Sequence, residues 1–230
     1  MFCLSLMVPW GYEPSLLAMQ FAENSSIFAC DEAAVYSNTV LDLGGIATSV
    51  VDADLHCEMG GAWNTALNTE VFRRLWEQVL RDGRFRAHDW AAKVDPDAVF
   101  LPGRLRRLLF PDRLLAQAGS GAFLNNCRFG LHGPLEVLSR RALETYADGW
   151  LSHCGPELAP QEDAYLQACL LRLGVLELER FGALLAEPAC KTPDWASCGG
   201  ERASFHPFKT VASYRRCLAA ASRWPAGERE

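Results

Sequence analysis

A chain of 230 residues with 50% hydrophobic and 22% charged residues has the make-up of a globular protein that buries its own core, which excludes a disordered or fibrous chain. Its net charge of -6 and isoelectric point near 5.4 leave no surplus of Lys and Arg to grip a phosphate backbone, so no nucleic-acid partner is expected. The longest early apolar run, residues 2–8, is stopped by Pro9 and is too short to cross a bilayer or to serve as a signal peptide. The chain reads as soluble, with any membrane anchor lying upstream of Met1.

Residues 2–8 read as a buried first strand, and residues 13–23 as a helix with Pro14 in its first turn. Short strands are predicted over 26–30 and 47–51. The clearest periodicity follows over 65–81, where Phe72, Leu75, Trp76, Val79 and Leu80 fall on one helical face. Strands over 89–93 and 99–101 flank Val94-Asp95-Pro96-Asp97. A helix over 103–110, strand with Asn-rich turns over 121–131, helices over 135–146 and 161–173, a strand over 204–206 and a helix over 210–222 complete the reading. Alternation of this kind favours an α/β sheet with helices on both faces. Residues 188–202 are the expected mobile loop, and the tail from Pro225 is expected to fray. Arg104, Arg106, Arg107 and Arg113 read as one solvated helix face.

The nine cysteines are scattered singly, with no Cys-x-x-Cys pair to suggest structural zinc. Cys190 and Cys198 are the best local disulfide candidates, Cys30, Cys127 and Cys169 read as small buried apolar residues, and the odd total leaves at least one free thiol. With the sequon at Asn24, these lean toward the secretory pathway.

Asp95 and Asp97 stand where an apolar strand ends, which is where open α/β sheets bind ligands. Pro96 fixes φ between them and favours a bend that turns both acids to one point, a hard-oxygen pair suited to Mn²⁺ or Mg²⁺; the bland alternative is a capping turn. Asp52-Ala53-Asp54 is a rival of the same form, ranked lower because no second strand follows it. Glu162 and Asp163 open a helix, where acids are favoured by the helix dipole alone but where a carboxylate can also accept a proton from a substrate hydroxyl. His206, held extended before Pro207, is a candidate imidazole ligand, and Lys209 a candidate phosphate contact.

In order, these pieces resemble the inverting β1,3-glycosyltransferase group that includes the Fringe proteins, the β1,3-galactosyltransferases and the core 1 O-glycan galactosyltransferase. Trp90-Ala-Ala-Lys93-Val-Asp95-Pro-Asp97-Ala-Val-Phe100 is similar to their Lys-x-Asp-Asp-Asp-x-(Phe/Tyr)-Val strand. The stretch from Gly133 to Leu143 is similar to their Gly-x-Gly-Tyr-Val-Leu-Ser-x-x-Ala-Leu. Glu162-Asp163 with Cys169-Leu170 and Leu173-Gly174-Val175 resembles their Glu-Asp-Val-x-x-Gly-x-Cys-Leu…Leu-Gly-Val, and Phe205-His206-Pro207 a Phe-His-Pro ending of the core 1 enzymes. The likeness runs from Asp89 to Lys209; before Thr65 it holds only in outline.

The resemblance implies a GT-A fold, a mixed central sheet with helices on both faces, in one catalytic domain over 1–230 whose truncation at the N-terminus stays open. It implies a nucleotide-sugar donor, commonly UDP-linked, a glycan or glycoprotein acceptor, and a Golgi or secretory-lumen setting. It assigns Asp95, Asp97 and His206 to Mn²⁺ and Asp163 to the catalytic base with Glu162 beside it; Lys209, read from the residues alone as a neutraliser of donor phosphate charge or a solvated helix start, is not among the residues it carries over. Pro96 replaces a central Asp, Leu135 a motif glycine and Gln167 a Gly, departures that bear on donor-pocket shape. A catalytically silent sugar-nucleotide or glycan-binding domain is the second reading, and a metal-dependent phosphohydrolase or nucleotidyltransferase the third.

Overall fold

The structure is a computed structural model and describes residues 1–60, 65–192 and 194–224. Strand β1 (Phe2–Leu6) carries Phe2 and Leu4 on one face and Cys3 and Ser5 on the other, all fully buried, so it runs through the middle of a sheet covered on both sides. Helix α1 (Glu13–Ala22) follows with Pro14 in its first turn, as expected. The strand expected over 26–30 is a correction: Ser26 takes a positive φ of 53°, the segment coils as a short 3-10 helix, and the second strand is β2 (Glu32–Ser37). Short strands β3 (Ser49–Val50), β4 (Met59–Gly60) and β5 (Thr65–Ala66) lead to α2 (Thr69–Asp82), which buries Leu75, Trp76 and Val79 as its periodicity requires.

Strand β6 (Trp90–Val94) is buried along its whole length, and β7 (Val99–Phe100) follows the Asp95–Asp97 corner. Helix α3 (Pro102–Leu109) and strand β8 (Ala122–Asn125) come next. The strand expected to reach Leu131 stops at Asn125, because the Asn126 side chain takes over the backbone there: it accepts from the His132 N–H at 2.7 Å and donates to the His132 carbonyl at 2.8 Å.

A second correction concerns 135–146. Residues Leu135–Ser139 form strand β9, and only then does helix α4 (Arg140–His153) begin. A short apolar run buried on both faces has no period that separates strand from helix. What divides the two is Ser139, whose hydroxyl accepts from the Ala142 N–H and caps the helix. Helix α5 (Glu162–Arg172), strand β10 (Leu176–Glu179), the single turn α6 (Phe181–Leu184), strands β11 (Leu185–Ala186) and β12 (Ser204–Phe205) and helix α7 (Val211–Ser222) complete the described chain.

The main sheet has the order β10-β8-β9-β6-β1-β2-β3, with β9 antiparallel to its neighbours and the other pairs parallel. This is the expected mixed α/β sheet. One face packs on α2, α4 and α5 through Phe2, Leu4, Tyr36 and Phe123; the other packs on α1 and α3 through Cys3, Val35, Ala92 and Val137. A small sheet, β11-β12-β7, sits with α1 and α7 over a third core around Val99, Phe205 and Tyr214.

Four disulfides correct the cysteine reading. Cys30, Cys127 and Cys169 are bonded to Cys3, Cys190 and Cys154, and Cys198 pairs with Cys217 rather than Cys190. Cys57 keeps its thiol, the leftover that an odd total demands. The 188–202 loop is thus fastened at Cys190 and Cys198. The Pro225 tail lies outside the described residues, and no helix among those described is long and apolar enough to cross a membrane.

Candidate active site

Strand β6 ends at a corner that other elements hold rigid. The Ala98 N–H donates to the Asp95 carbonyl at 3.0 Å, the Gln20 side chain of α1 donates to the Pro96 carbonyl at 2.7 Å, and the Ser5 hydroxyl of β1 donates to the Val94 carbonyl at 2.7 Å. The small sheet then returns the chain to the same corner. Strand β12 pairs with β7, and the Phe208 N–H donates to the Asp97 carbonyl at 2.8 Å, which carries His206 to the two acids. Asp95, Asp97 and His206 each present a ligand atom within 4.8 Å of the others. Asp97 Oδ1 lies 3.2 Å from His206 Nε2, and the Tyr12 hydroxyl donates to Asp97 Oδ2 at 3.1 Å.

From His206 a chain of alternating charge runs to the start of α5. His206 Nδ1 lies 3.5 Å from Glu187, the other Glu187 oxygen lies 2.8 Å from His132 Nε2, and His132 Nδ1 lies 3.0 Å from Asp163. Burial alone would hold both imidazoles neutral. The flanking carboxylates overcome it, raising His206 to about 9 and His132 to about 10. In return, although burial works to raise them, Glu187 is held down at about 2 and Asp97 and Asp163 are lowered. Asp163 also accepts from the Gly133 N–H at 3.2 Å and the Ala164 N–H at 2.7 Å. A carboxylate has about four acceptor positions, so one stays open to a further donor.

Behind this chain lies Lys93, fully buried in β6. Its ammonium sits 2.8 Å from Asp95, 3.0 Å from Glu162 and 4.0 Å from Glu136, donates to the Gly133 carbonyl at 2.8 Å, and lies over the Phe72 ring. Glu136 faces it in register from β9. Burial first, then the charge of Glu162, push the Glu136 carboxyl well above its usual range. Gly133 has no room for a side chain: a Cβ there would stand 2.6 Å from Glu162 Oε1. Glu162 therefore points inward to Lys93, while its neighbour Asp163 belongs to the outer chain.

Lys209 stands beside the corner, its Nζ 5.7 Å from the centre of the Tyr12 ring, and its charge lowers both Asp97 and Glu13. Burial nevertheless raises the Glu13 carboxyl to about 8, and the Val8 N–H donates to it at 2.7 Å. The residues singled out from the sequence, Asp95, Asp97, Glu162, Asp163, His206 and Lys209, thus gather at one end of the sheet. Sequence reasoning missed His132 and Glu187, the links between them. Neither carries a local signal, since Glu187 sits in an ordinary Ala-Glu-Pro turn and His132 gains its meaning only through α5.

Two carboxylates and an imidazole nitrogen form a donor set that Mn²⁺ accepts, so the residues present fit the expected ion. The other convergent group among the described residues, His132, Glu187 and Cys190, lacks a thiolate because Cys190 is bonded to Cys127. Among the described residues the rival Asp52-Ala53-Asp54 gathers no third ligand; Asp54 is 78% exposed and pairs with His56. Of the departures from the family pattern, Leu135 is buried opposite Val94, and Gln167 accepts from the Leu131 N–H at 3.1 Å and so braces the loop before Gly133.

No protein-family model matches the sequence, and no curated protein matches it. Among solved structures, the chain is similar to a glycosyltransferase involved in the glycosylation of the major capsid of PBCV-1, at 13% identity and a TM-score of 0.49 over 96% of this chain and 98% of that one. It is also similar to the galactosyltransferase LgtC in complex with donor and acceptor sugar analogs, at 9% identity and a TM-score of 0.44 over 99% and 98%. A cytidylyltransferase from Leptospira borgpetersenii aligns at 14% identity and a TM-score of 0.40 over 78% and 75%.

Proposed function

We propose that this chain is a glycosyltransferase of GT-A type, one catalytic unit that moves a sugar from a UDP-linked donor to a hydroxyl of a glycan or glycoprotein acceptor, with inversion and in β1,3 linkage. The observation that carries the reading is the convergence of Asp95, Asp97 and His206 within 4.8 Å at the end of β6, joined through Glu187 and His132 to Asp163. Asp95, Asp97 and His206 are the residues that would hold Mn²⁺ or Mg²⁺. When bound, such an ion supplies neutralising charge for the leaving diphosphate.

The chain's own residues do the rest. Lys209 offers positive charge on the donor side of the corner. Asp163, held ionised by His132 and two backbone N–H groups, keeps an acceptor position for the proton of the incoming hydroxyl, which is general-base work. Glu162 and Lys93 hold the start of α5 against the corner. Four disulfides, the free placement of Asn24 in an exposed turn and the family resemblance support a secretory or Golgi lumen.

The second reading, a silent binding domain of the same fold, is favoured by the prior engagement of both Asp163 oxygens. One experiment separates the two. Thermal shifts with UDP, GDP and CDP, with and without Mn²⁺, are measured on the wild type, Asp97→Asn and Asp163→Asn, alongside transfer to an acceptor. The expected result is a Mn²⁺-dependent shift with UDP that Asp97→Asn abolishes and Asp163→Asn keeps, and transfer that both variants lose. Binding without transfer by the wild type selects the silent domain, and equal nucleotide binding by both variants rejects the assignment of the corner.

A further inference from the structure

The four arginines that the sequence groups on one helix face have separate fates. Arg104 is buried, donating to the carbonyls of Gly200, Arg202 and Ala221, and Arg106 reaches Asp31 and the Ala29 carbonyl. Arg107 and Arg113 stay exposed. Between and beyond them the turn after α3 holds three large apolar side chains in solvent: Phe110 is 65% exposed, Leu114 80% and Leu115 49%. Arg113 lies over the Phe110 ring at 4.1 Å and donates to its carbonyl at 2.7 Å.

Two details decide what such a turn suits. Its acid, Asp112, is turned inward to Arg180 at 2.6 Å, so the outward charge of the turn is positive although the whole chain carries -6. And the turn is held from below: Leu109, Asp112 and Ala116 are buried, and the Ala116 N–H donates to the Asp112 carbonyl at 2.8 Å. Apolar tips on a fixed base, flanked by two exposed arginines of which Arg113 is laid over the Phe110 ring, match the chemistry of a bilayer interface, where rings and aliphatic side chains enter below the headgroups and guanidinium groups meet phosphate. We infer that the turn from Phe110 to Leu115, with Arg107 and Arg113, docks this protein on a membrane surface bearing anionic headgroups.

The placement leaves the candidate active site open. Gln117 donates to the Asp89 carbonyl at 2.8 Å, which puts the turn at the amino end of β6, whereas Asp95 and Asp97 follow its carboxyl end. About 15 Å of strand separates the two at ~3.3 Å per residue. The inference rests on the turn alone and depends neither on the proposed transfer chemistry nor on the proposed lumenal setting.

Co-sedimentation of the full chain with vesicles of phosphatidylcholine alone and of phosphatidylcholine with phosphatidylserine tests it. Partition to the mixed vesicles should exceed that to neutral ones, fall about tenfold in Arg107→Glu/Arg113→Glu, and fall at least as far in Phe110→Ser/Leu114→Ser. All these positions are exposed, so unchanged melting temperatures confirm that the variants fold. Equal binding to neutral and anionic vesicles, no loss in either variant, or no sedimentation at all overturns the inference. So does a concentration-dependent dimer abolished by the same substitutions, which would show that a second copy covers the patch.

Discussion

Lys93→Met is the sharpest test of how the site is built. Methionine keeps the length and the packing of the stem but removes a charge that stands 2.8 Å from Asp95 and 3.0 Å from Glu162 in a place without solvent access. Asp95 is 29% exposed and can turn to water, whereas Glu162 is 8% exposed and Glu136 fully buried. The cost therefore falls on Glu162. Stranding one partner of a buried pair costs about 3–5 kcal/mol. At a urea dependence of about 2–3 kcal/mol per M, the midpoint should fall by about 1–2 M.

The pH dependence has a definite sign. Burial already raises Glu162 and Glu136 above their unfolded values, and without Lys93 the first rises further. A group with a raised folded pKa contributes stability that is fully present below its unfolded value, about 4.3, and is lost as pH rises through the folded value. The deficit of Lys93→Met should be smallest near pH 4–5 and grow toward pH 8, and Lys93→Met/Glu162→Gln should recover much of it at pH 8. Urea titrations followed by circular dichroism at several pH values measure this. A deficit below about 1 kcal/mol at pH 8, or one that does not change with pH, would refute the picture of Lys93 as the buried counter-charge of α5.

Arg104→Leu removes the donor to three main-chain carbonyls and should cost about 3 kcal/mol, a melting temperature lower by roughly 6–12 °C in calorimetry. Gly121→Ala should cost at least about 3 kcal/mol and reduce soluble yield, since Gly121 has a φ of 82° and a Cβ there would lie 2.2 Å from the Ala142 nitrogen. Cys127→Ala/Cys190→Ala should leave the far-ultraviolet dichroism of the main sheet intact, lower the melting temperature, and still show one free thiol, that of Cys57, when thiols are counted in the unfolded, unreduced chain.

The sequence was readable where residues act through their neighbours in the chain. Helix α2 could be placed because Leu75, Trp76 and Val79 must share a face, and the Asp95–Asp97 corner could be located because an apolar strand ends at a proline between two acids, although a capping turn would look the same in sequence. It was unreadable where meaning comes from across the fold. Residues 135–146 divide into strand and helix only because β6 lies beside the first part and Ser139 caps the second. Cys127, Cys30 and Cys169 look like ordinary small core residues until the chain brings each to its partner. Glu187 and His132 are 55 positions apart and come together only after β8, α5 and the small sheet are in place.

That dependence on distant parts explains where the disulfides lie. Asp95 and Asp97 are fixed by a fully buried five-residue strand in the middle of a seven-stranded sheet. Glu187 and His206 instead follow β11 and β12, two residues each, whose ladders supply too few hydrogen bonds to hold a charged side chain at a set point. Cys127–Cys190 ties the segment after Glu187 to the end of β8, beside the Asn126 that orients His132, and Cys198–Cys217 ties the same loop to α7 before it returns as β12. In the chain-entropy account, closing loops of these lengths is worth about 3–4 kcal/mol each. The bonded loop thus supplies from covalent chemistry the rigidity that the corner draws from the sheet. The alternating charges from Asp97 to Asp163 rest on both, so loosening either support should open the row at Glu187, the carboxylate shared by both histidines.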